Sequence, residues 1–235
     1  MHSNGVSIKG SYHDINQDSF LCKEYSDGYI LVLSDGMGSK KLSHYGSKAI
    51  CESVYEIVSS PNNNLDLVSF KDILYSCHEN WKRKLYEFDI SDCYATMLVA
   101  VVTKDRIQAA RLGDGFVSIF ADNEVHCLFD KKDDFFANET DCLRESFDRD
   151  AIEVLDIEYT NFQGVVSCSD GIEIGTMQED ELISFTQDFV TEYAVRKEME
   201  IIDEIGDWLV DWPGCDDKTI AFLLNDKIEV EDCEL

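Results

Sequence analysis

Five aspartates in this sequence stand where the chain is about to change direction. Asp35 closes the apolar run Tyr29-Ile30-Leu31-Val32-Leu33-Ser34 and is followed by Gly36 and Gly38. Asp170 closes a second apolar run, Gly164 to Ser169, and again the ending is Ser-Asp-Gly. A short apolar run bounded by turn residues reads as a buried strand, so both carboxylates are predicted to sit at the ends of rigid elements. The glycines after them allow a tight turn and leave the backbone open to a ligand. Asp18 precedes another predicted strand, and Asp217 lies in Cys215-Asp216-Asp217-Lys218 before the last one. Asp114 occupies the turn Gly113-Asp114-Gly115 between two more.

None of the five is accompanied by a His or Cys pair. An all-oxygen donor set suits hard octahedral cations, Mg²⁺ or Mn²⁺, which keep several waters and take few protein carboxylates. Two such ions roughly 3.5–4 Å apart can share a water, lower its pKa and direct it at phosphorus. Taken singly, each aspartate is an ordinary turn residue. Repetition of the same construction five times points instead to a shared cation site.

The elements that must position these residues follow from periodicity. Val6–Ile8, Ser19–Glu24 and Tyr29–Leu33 read as strands, the last two joined through Ser26-Asp27-Gly28. Leu42–Val58 has apolar residues at helical spacing (Tyr45, Ala49, Val54, Ile57, Val58) and stops at Ser59-Ser60-Pro61. Leu65–Phe88 reads as a second long helix with Phe70, Ile73, Leu74, Cys77, Trp81 and Leu85 on one face. Tyr94–Thr103, Arg106–Leu112, Phe116–Ala121 and Val125–Leu128 are predicted to form a meander. Ile152–Tyr159 and Gly164–Ser169 are predicted to pair as a hairpin, with a polar surface excursion at Lys131–Asp150 before them. Helices are expected over Glu179–Phe189 and Glu192–Leu209, and a final strand over Lys218–Leu224. Strands mixed with paired long helices indicate an α+β fold, an antiparallel sheet covered by helices.

Composition narrows the partners. The chain has 235 residues, 44% of them hydrophobic, which supports one sizeable core over residues 1–235 as a single domain. With 48 acidic against 20 basic residues the formal net charge is −28, which repels a phosphate backbone and argues against nucleic acid as a partner. The acid clusters at Glu179–Glu181 and Glu229–Glu234 read as solvated faces or tails. Nine cysteines, an odd number with no C-x-x-C pair, fit a reducing compartment, and those in apolar runs (Cys51, Cys93, Cys127, Cys168) behave as small hydrophobes. Met1–Gly10 has no apolar signal core, and no run approaches the ~18 residues of a membrane span. A soluble cytoplasmic protein without membrane partners is expected; nothing sets an oligomeric state. With no appended sensor domain, any regulation is expected from another chain.

In order along the chain, Asn16-Gln17-Asp18, Ser34-Asp35-Gly36-Met37-Gly38, Arg111-Leu112-Gly113-Asp114, Ser169-Asp170-Gly171 and Asp216-Asp217 before a strand resemble the metal-dependent (type 2C) serine/threonine protein phosphatases. The similarity is greatest to their compact bacterial branch, which Phe136-Ala137-Asn138-Glu139-Thr140 reinforces, and it runs from about Gly10 to Leu224. The resemblance implies a four-layer αββα sandwich of two antiparallel sheets flanked by helices, with a binuclear Mg/Mn site between the sheet ends. It implies that Asp35 bridges both ions, that the Gly36 carbonyl ligates one, and that Asp18, Asp170 and Asp217 complete the shell. Asp114, with Asp170, would hold a weaker third ion. A metal-activated water would then attack phosphoserine or phosphothreonine on a protein substrate directly, without a phosphoenzyme, opposing a cognate kinase.

Three positions depart from the family pattern. His13 stands where an Arg usually clamps the phosphate; an imidazole does this only when protonated, and His13 equally reads as a surface histidine. Ser39 replaces a second glycine after Gly38, and the Asp114 turn continues Gly115-Phe116 rather than Ser-Arg. Two other readings stand beside this one: a phosphatase-fold regulatory or scaffold module with impaired catalysis, motivated by His13 and Ser39, and a metal-dependent hydrolase of a small phosphoester or nucleotide. The second lacks the glycine-rich G-x-x-x-x-G-K phosphate loop that nucleotide chemistry uses.

Overall fold

The computed structural model describes residues 1–61, 65, 67–129, 141–146, 148–172 and 178–227. In chain order the elements are β1 (His2–Ile8), β2 (Ser19–Tyr25), β3 (Gly28–Ser34), α1 (Ser43–Val58) and α2 (Phe70–Lys84). They continue with β4 (Met97–Val102), β5 (Arg106–Leu112), β6 (Phe116–Ala121), β7 (Glu124–Leu128), β8 (Glu153–Glu158) and β9 (Phe162–Cys168). The last are α3 (Glu179–Tyr193), α4 (Glu198–Asp211) and β10 (Lys218–Leu224). One five-stranded antiparallel sheet runs β1-β10-β9-β6-β7 and the other β2-β3-β4-β5-β8.

The unbroken apolar runs are explained by burial on both strand faces. In β3, Ile30 and Val32 pack toward α1 and α2, while Leu31 and Leu33 face the opposite sheet. β4 divides the same way, Met97, Val99 and Val101 toward the helices and Leu98, Ala100 and Val102 toward the other sheet. In β10, Ile220, Phe222 and Leu224 join the core under α3 and α4, while Ala221 and Leu223 enter the layer between the sheets. Three apolar layers thus separate four structural ones, helix pair, sheet, sheet, helix pair: the expected αββα sandwich.

Two local expectations fail. The run from β4 to β7 is not one meander. β4 pairs with β5 in one sheet and β6 with β7 in the other. The turn between β5 and β6 has Gly113 at φ 98° and Gly115 at φ 88°, a left-handed bend that carries the chain from sheet to sheet. Nor do β8 and β9 form a hairpin, since β8 pairs with β5 and β9 with β6 and β10. The corner between them is held by the β6–β7 turn instead: Asp122 Oδ1 accepts from the Asn161 N–H at 2.7 Å and the Thr160 hydroxyl at 2.6 Å. Local patterning is the same for a hairpin and for a corner between sheets, so only the partners distinguish them.

The second helix begins at Phe70 rather than Leu65. Most of the Lys131–Asp150 excursion, with the Phe136–Thr140 motif, and the acid cluster at Glu229–Glu234 lie outside the described residues. Among the described residues no helix is long and apolar enough to cross a membrane.

Candidate metal centre

Strand register brings the carboxylates together. β2 pairs with β3 so that Ser19 lies opposite Ser34. One step further along the ladder, Asp18 and Asp35 become cross-strand neighbours. Asp35 continues the parity of Leu31 and Leu33, the face that looks toward the other sheet. In that other sheet Cys168 lies opposite both Phe116 and Ile220. Extending those ladders puts Asp170 beside Asp114 and Ser169 beside Thr219, whose carbonyl accepts from the Ser169 N–H at 3.0 Å. Both sheets therefore deliver their acids to one end of the sandwich.

The end of β3 is locked to the strand beside it. The Asp35 N–H donates to Thr96 Oγ1 at 2.8 Å, its carbonyl accepts from Thr96 N–H at 2.8 Å, and the Met37 N–H donates to Tyr94 at 3.0 Å. The Gly36 N–H is taken by the Gln17 carbonyl at 3.1 Å, while the Gly36 carbonyl accepts no hydrogen bond from the described residues.

Asp18 is held by one oxygen. Its Oδ2 accepts from Thr219 Oγ1 at 2.6 Å and from Ser169 Oγ at 2.8 Å. Because the Thr219 proton is committed to the carboxylate, the 2.7 Å contact between Ser7 Oγ and Thr219 Oγ1 is a donation by Ser7. Ser7 in turn accepts from Asn16 Nδ2 at 2.8 Å, so a chain of donors runs Asn16, Ser7, Thr219, Asp18. The other oxygen, Oδ1, is buried and has no hydrogen-bonding partner among the described residues. A buried acceptor left this way is destabilising unless a proton or a cation reaches it.

Electrostatics points the same way. Burial pushes Asp18 up from the ordinary carboxylate range to about 6, against the downward pull of the Thr219 hydroxyl. Burial, and then the charges of Asp18 and Asp170, raise Asp35 well above it. Asp35 is half-buried as a residue, but its carboxyl lies within hydrogen-bonding reach of both neighbours. Without an ion the three acids oppose one another's ionisation. Asp170 is also raised, by burial and then by Asp216 and Asp114, yet it is exposed at the rim, so solvent screens its shift most. No lysine or arginine is among the leading influences on these three. Among the described residues no three His, Cys, Asp or Glu side chains close into a cage. An ion that keeps most of its water needs no such cage, and its charge would reverse the repulsion. The donor set therefore fits a hard divalent cation.

Asp217 is placed differently. It is 3% exposed, and its Oδ1 accepts from the Gly10 N–H at 2.8 Å and its Oδ2 from the Gln17 N–H at 2.6 Å. It clasps both ends of the Gly10–Gln17 loop and acts on Asp18 through its charge. At Gly10 a Cβ would stand 2.3 Å from the Cys215 carbonyl oxygen, so only glycine lets the loop close on this segment. His13, on that loop, lies over the turn after β3, its Nε2 2.8 Å from where a Cβ on Gly38 would be. Of the seven positions singled out by sequence, Asp18, Asp35 and Asp170 converge, with the Gly36 backbone beside them. Asp114 faces Asp170 from the rim, and Asp217 and His13 belong to the wall. Ser7, Thr96, Ser169 and Thr219 were not anticipated. Ser169 stood inside the Ser-Asp-Gly motif and Thr219 two residues past Asp217, whereas Ser7 and Thr96 carry no local signal.

Solved structures of the same architecture exist. A bacterial serine phosphatase superposes with a TM-score of 0.70 at 15% identity, covering 98% of this chain and 100% of that one. The serine/threonine phosphatase Stp1 from Staphylococcus aureus gives 0.68 at 15% identity, with 98% and 96% covered. The catalytic domain of the serine threonine protein phosphatase PstP, solved with 2 manganese ions, gives 0.65 at 16% identity, with 94% and 96% covered. No curated protein sequence matches. At such identities the likeness speaks for the fold alone. The sequence itself decides the family: residues 11–212 match the description "Protein phosphatase 2C", a span that carries every carboxylate at the sheet ends except Asp216 and Asp217, and the chain belongs to that family.

Proposed function

We propose that this chain hydrolyses phosphoserine or phosphothreonine on proteins, using water activated at a two-ion Mg²⁺ or Mn²⁺ site. The observation that carries the reading is the open oxygen of Asp18, buried without a donor among the described residues and beside Asp35 and Asp170 on a phosphatase fold. Asp35, the common neighbour, would hold both ions and the Gly36 carbonyl one of them, with Asp18, Asp170 and Asp217 completing the shell directly or through water. Asp114 and Asp170 at the rim would take a weaker third. When bound, the ions neutralise the carboxylates and lower the pKa of water. The chain's own part is positional. Thr219 and Ser169 hold Asp18 with one oxygen forward, Thr96 fixes the end of β3, and the Asp217 clasp keeps His13 over the Gly38 turn. A protonated His13 would donate to the phosphoryl oxygens there. The partner is a phosphorylated protein, opposed by a kinase, in the cytoplasm.

The test measures turnover of a phosphothreonine peptide and of p-nitrophenyl phosphate, with Mn²⁺ and with EDTA. Peptide hydrolysis abolished by chelation is expected. Metal binding without turnover would make the chain a regulatory module, and preference for a nucleotide would make it a small-phosphoester hydrolase.

A further inference from the structure

The wall formed by the Gly10–Gln17 loop combines two properties that seldom occur together. Its backbone is fixed: besides the two amides on Asp217, the Tyr12 N–H donates to the Cys215 carbonyl at 3.0 Å, and Lys9 Nζ donates to the carbonyls of Gly10 and His13 at 3.0 and 2.9 Å. Yet it displays large apolar side chains to water, Tyr12 at 75% exposure and Ile15 at 54%. A loop held this firmly could have turned those side chains inward or done without them, and solvent exposure of a Tyr and an Ile is unfavourable by the apolar area they leave wet. The Tyr12 ring stands edge-on to His13, centroids 4.9 Å apart, and His13 overlies the turn that follows Asp35. Anything whose phosphoryl group reached the carboxylates would lay its neighbouring atoms along this wall.

We propose that Tyr12 and Ile15 are specificity residues that read the residues flanking the phosphorylated side chain, and that the substrate class is a phosphopeptide with an apolar residue beside the phosphoserine or phosphothreonine and basic residues beyond it. The proposal rests on the phosphatase reading above. The basic preference follows from charge: Asp14 on the same loop is exposed, and the chain's net charge of −28 is far more than a few bound divalent ions offset. Acid-flanked phosphopeptides are repelled by that field, and basic ones are steered in. A rigid aromatic anchor loses little entropy on binding, which suits it to this task.

The experiment compares wild type with the Tyr12→Ala/Ile15→Ala double variant on three substrates with Mn²⁺ present: p-nitrophenyl phosphate, a phosphothreonine peptide with apolar and basic flanks, and the same peptide with acidic flanks. For the double variant kcat/KM on the basic apolar peptide is expected to fall about tenfold, through KM, while p-nitrophenyl phosphate turnover is unchanged. Wild type is expected to disfavour the acidic peptide, and raising salt should narrow that gap. Equal turnover of all three by wild type and variant overturns the proposal, as does a parallel loss on p-nitrophenyl phosphate, which would make the wall merely structural. Binding of fluorescent phosphopeptides, read by anisotropy, separates the two readings. If wild type turns over no substrate but binds the basic apolar peptide in a Tyr12-dependent way, the catalytic reading fails and the recognition reading stands.

Discussion

Asp18 and Asp217 are neighbours with the same side chain and nearly the same burial, 7% and 3% exposed, yet their environments are opposite. Asp217 has each oxygen occupied by a backbone amide. Asp18 has two hydroxyls on one oxygen and, among the described residues, no donor in hydrogen-bonding geometry on the other. A carboxylate with both oxygens taken by backbone amides serves to fix a loop. A carboxylate with one oxygen tied and one bare is strained until something positive arrives. The contrast shows how the site can be both rigid and reactive: rigidity is supplied by the Asp217 side, reactivity by the Asp18 side. Asp35 stands with Asp18, raised further because it faces two acids.

The largest effect is expected at Asp35. Asp35→Asn is expected to reduce phosphatase turnover about 10³-fold, a loss of the size seen when a key electrostatic group is removed. Because it also removes mutual repulsion, the metal-free variant should melt at a higher temperature than wild type under EDTA. Near-normal turnover, or a lower melting temperature, would refute the arrangement. Thr219→Val releases the oxygen that orients Asp18 and should weaken Mn²⁺ binding by about 10–100-fold, measured by calorimetry, with a smaller loss of stability.

The pH dependence sharpens the same point. Asp18 and Asp35 have folded pKa values raised above those of the unfolded chain, so between them the folded state holds more protons. Stability of the metal-free protein is therefore expected to fall as pH rises through the window from about 4 to about 6, by on the order of 3 kcal/mol for Asp18. Carboxylates lowered by cations, such as Asp156 beside Arg106, contribute the opposite slope, but they lie nearer solvent and are screened. Thermal melts from pH 4 to 7 should show the decline in EDTA and lose it in Mn²⁺; a curve unaffected by metal would contradict the prediction. The smallest effect belongs to the clasp. Asp217→Asn leaves one of two amides without its acceptor and should cost about 1–3 kcal/mol. Hydrogen exchange should quicken at Gly10 and Gln17 in the metal-free protein; unchanged protection there would remove the clasp from the account.

Some of this was legible from residue types alone. The unbroken apolar runs at β3 and β9 read as buried strands, and the Ser-Asp-Gly endings at Asp35 and Asp170 revealed the acids they deliver. The order of the five motifs identified the family. The pairing of β8 and β9 was misread because a corner between sheets and a hairpin share the same short spacing. His13 was read as a departure from an arginine, but its place over Gly38 depends on a loop whose ends are fixed by a residue 207 positions from Gly10.

Residue chemistry and local periodicity determined which donors exist, that they are oxygen and hard, and that they stand at the ends of rigid strands. Only the folded chain decided which oxygen stays bare. The hydroxyls that settle this for Asp18 come from 151 and 201 residues away, and the amide that occupies Asp217 at Gln17 from 200. A hydrogen bond is made over about 3 Å whatever the separation along the chain, so its partner is set by sheet register and packing, which no local pattern encodes.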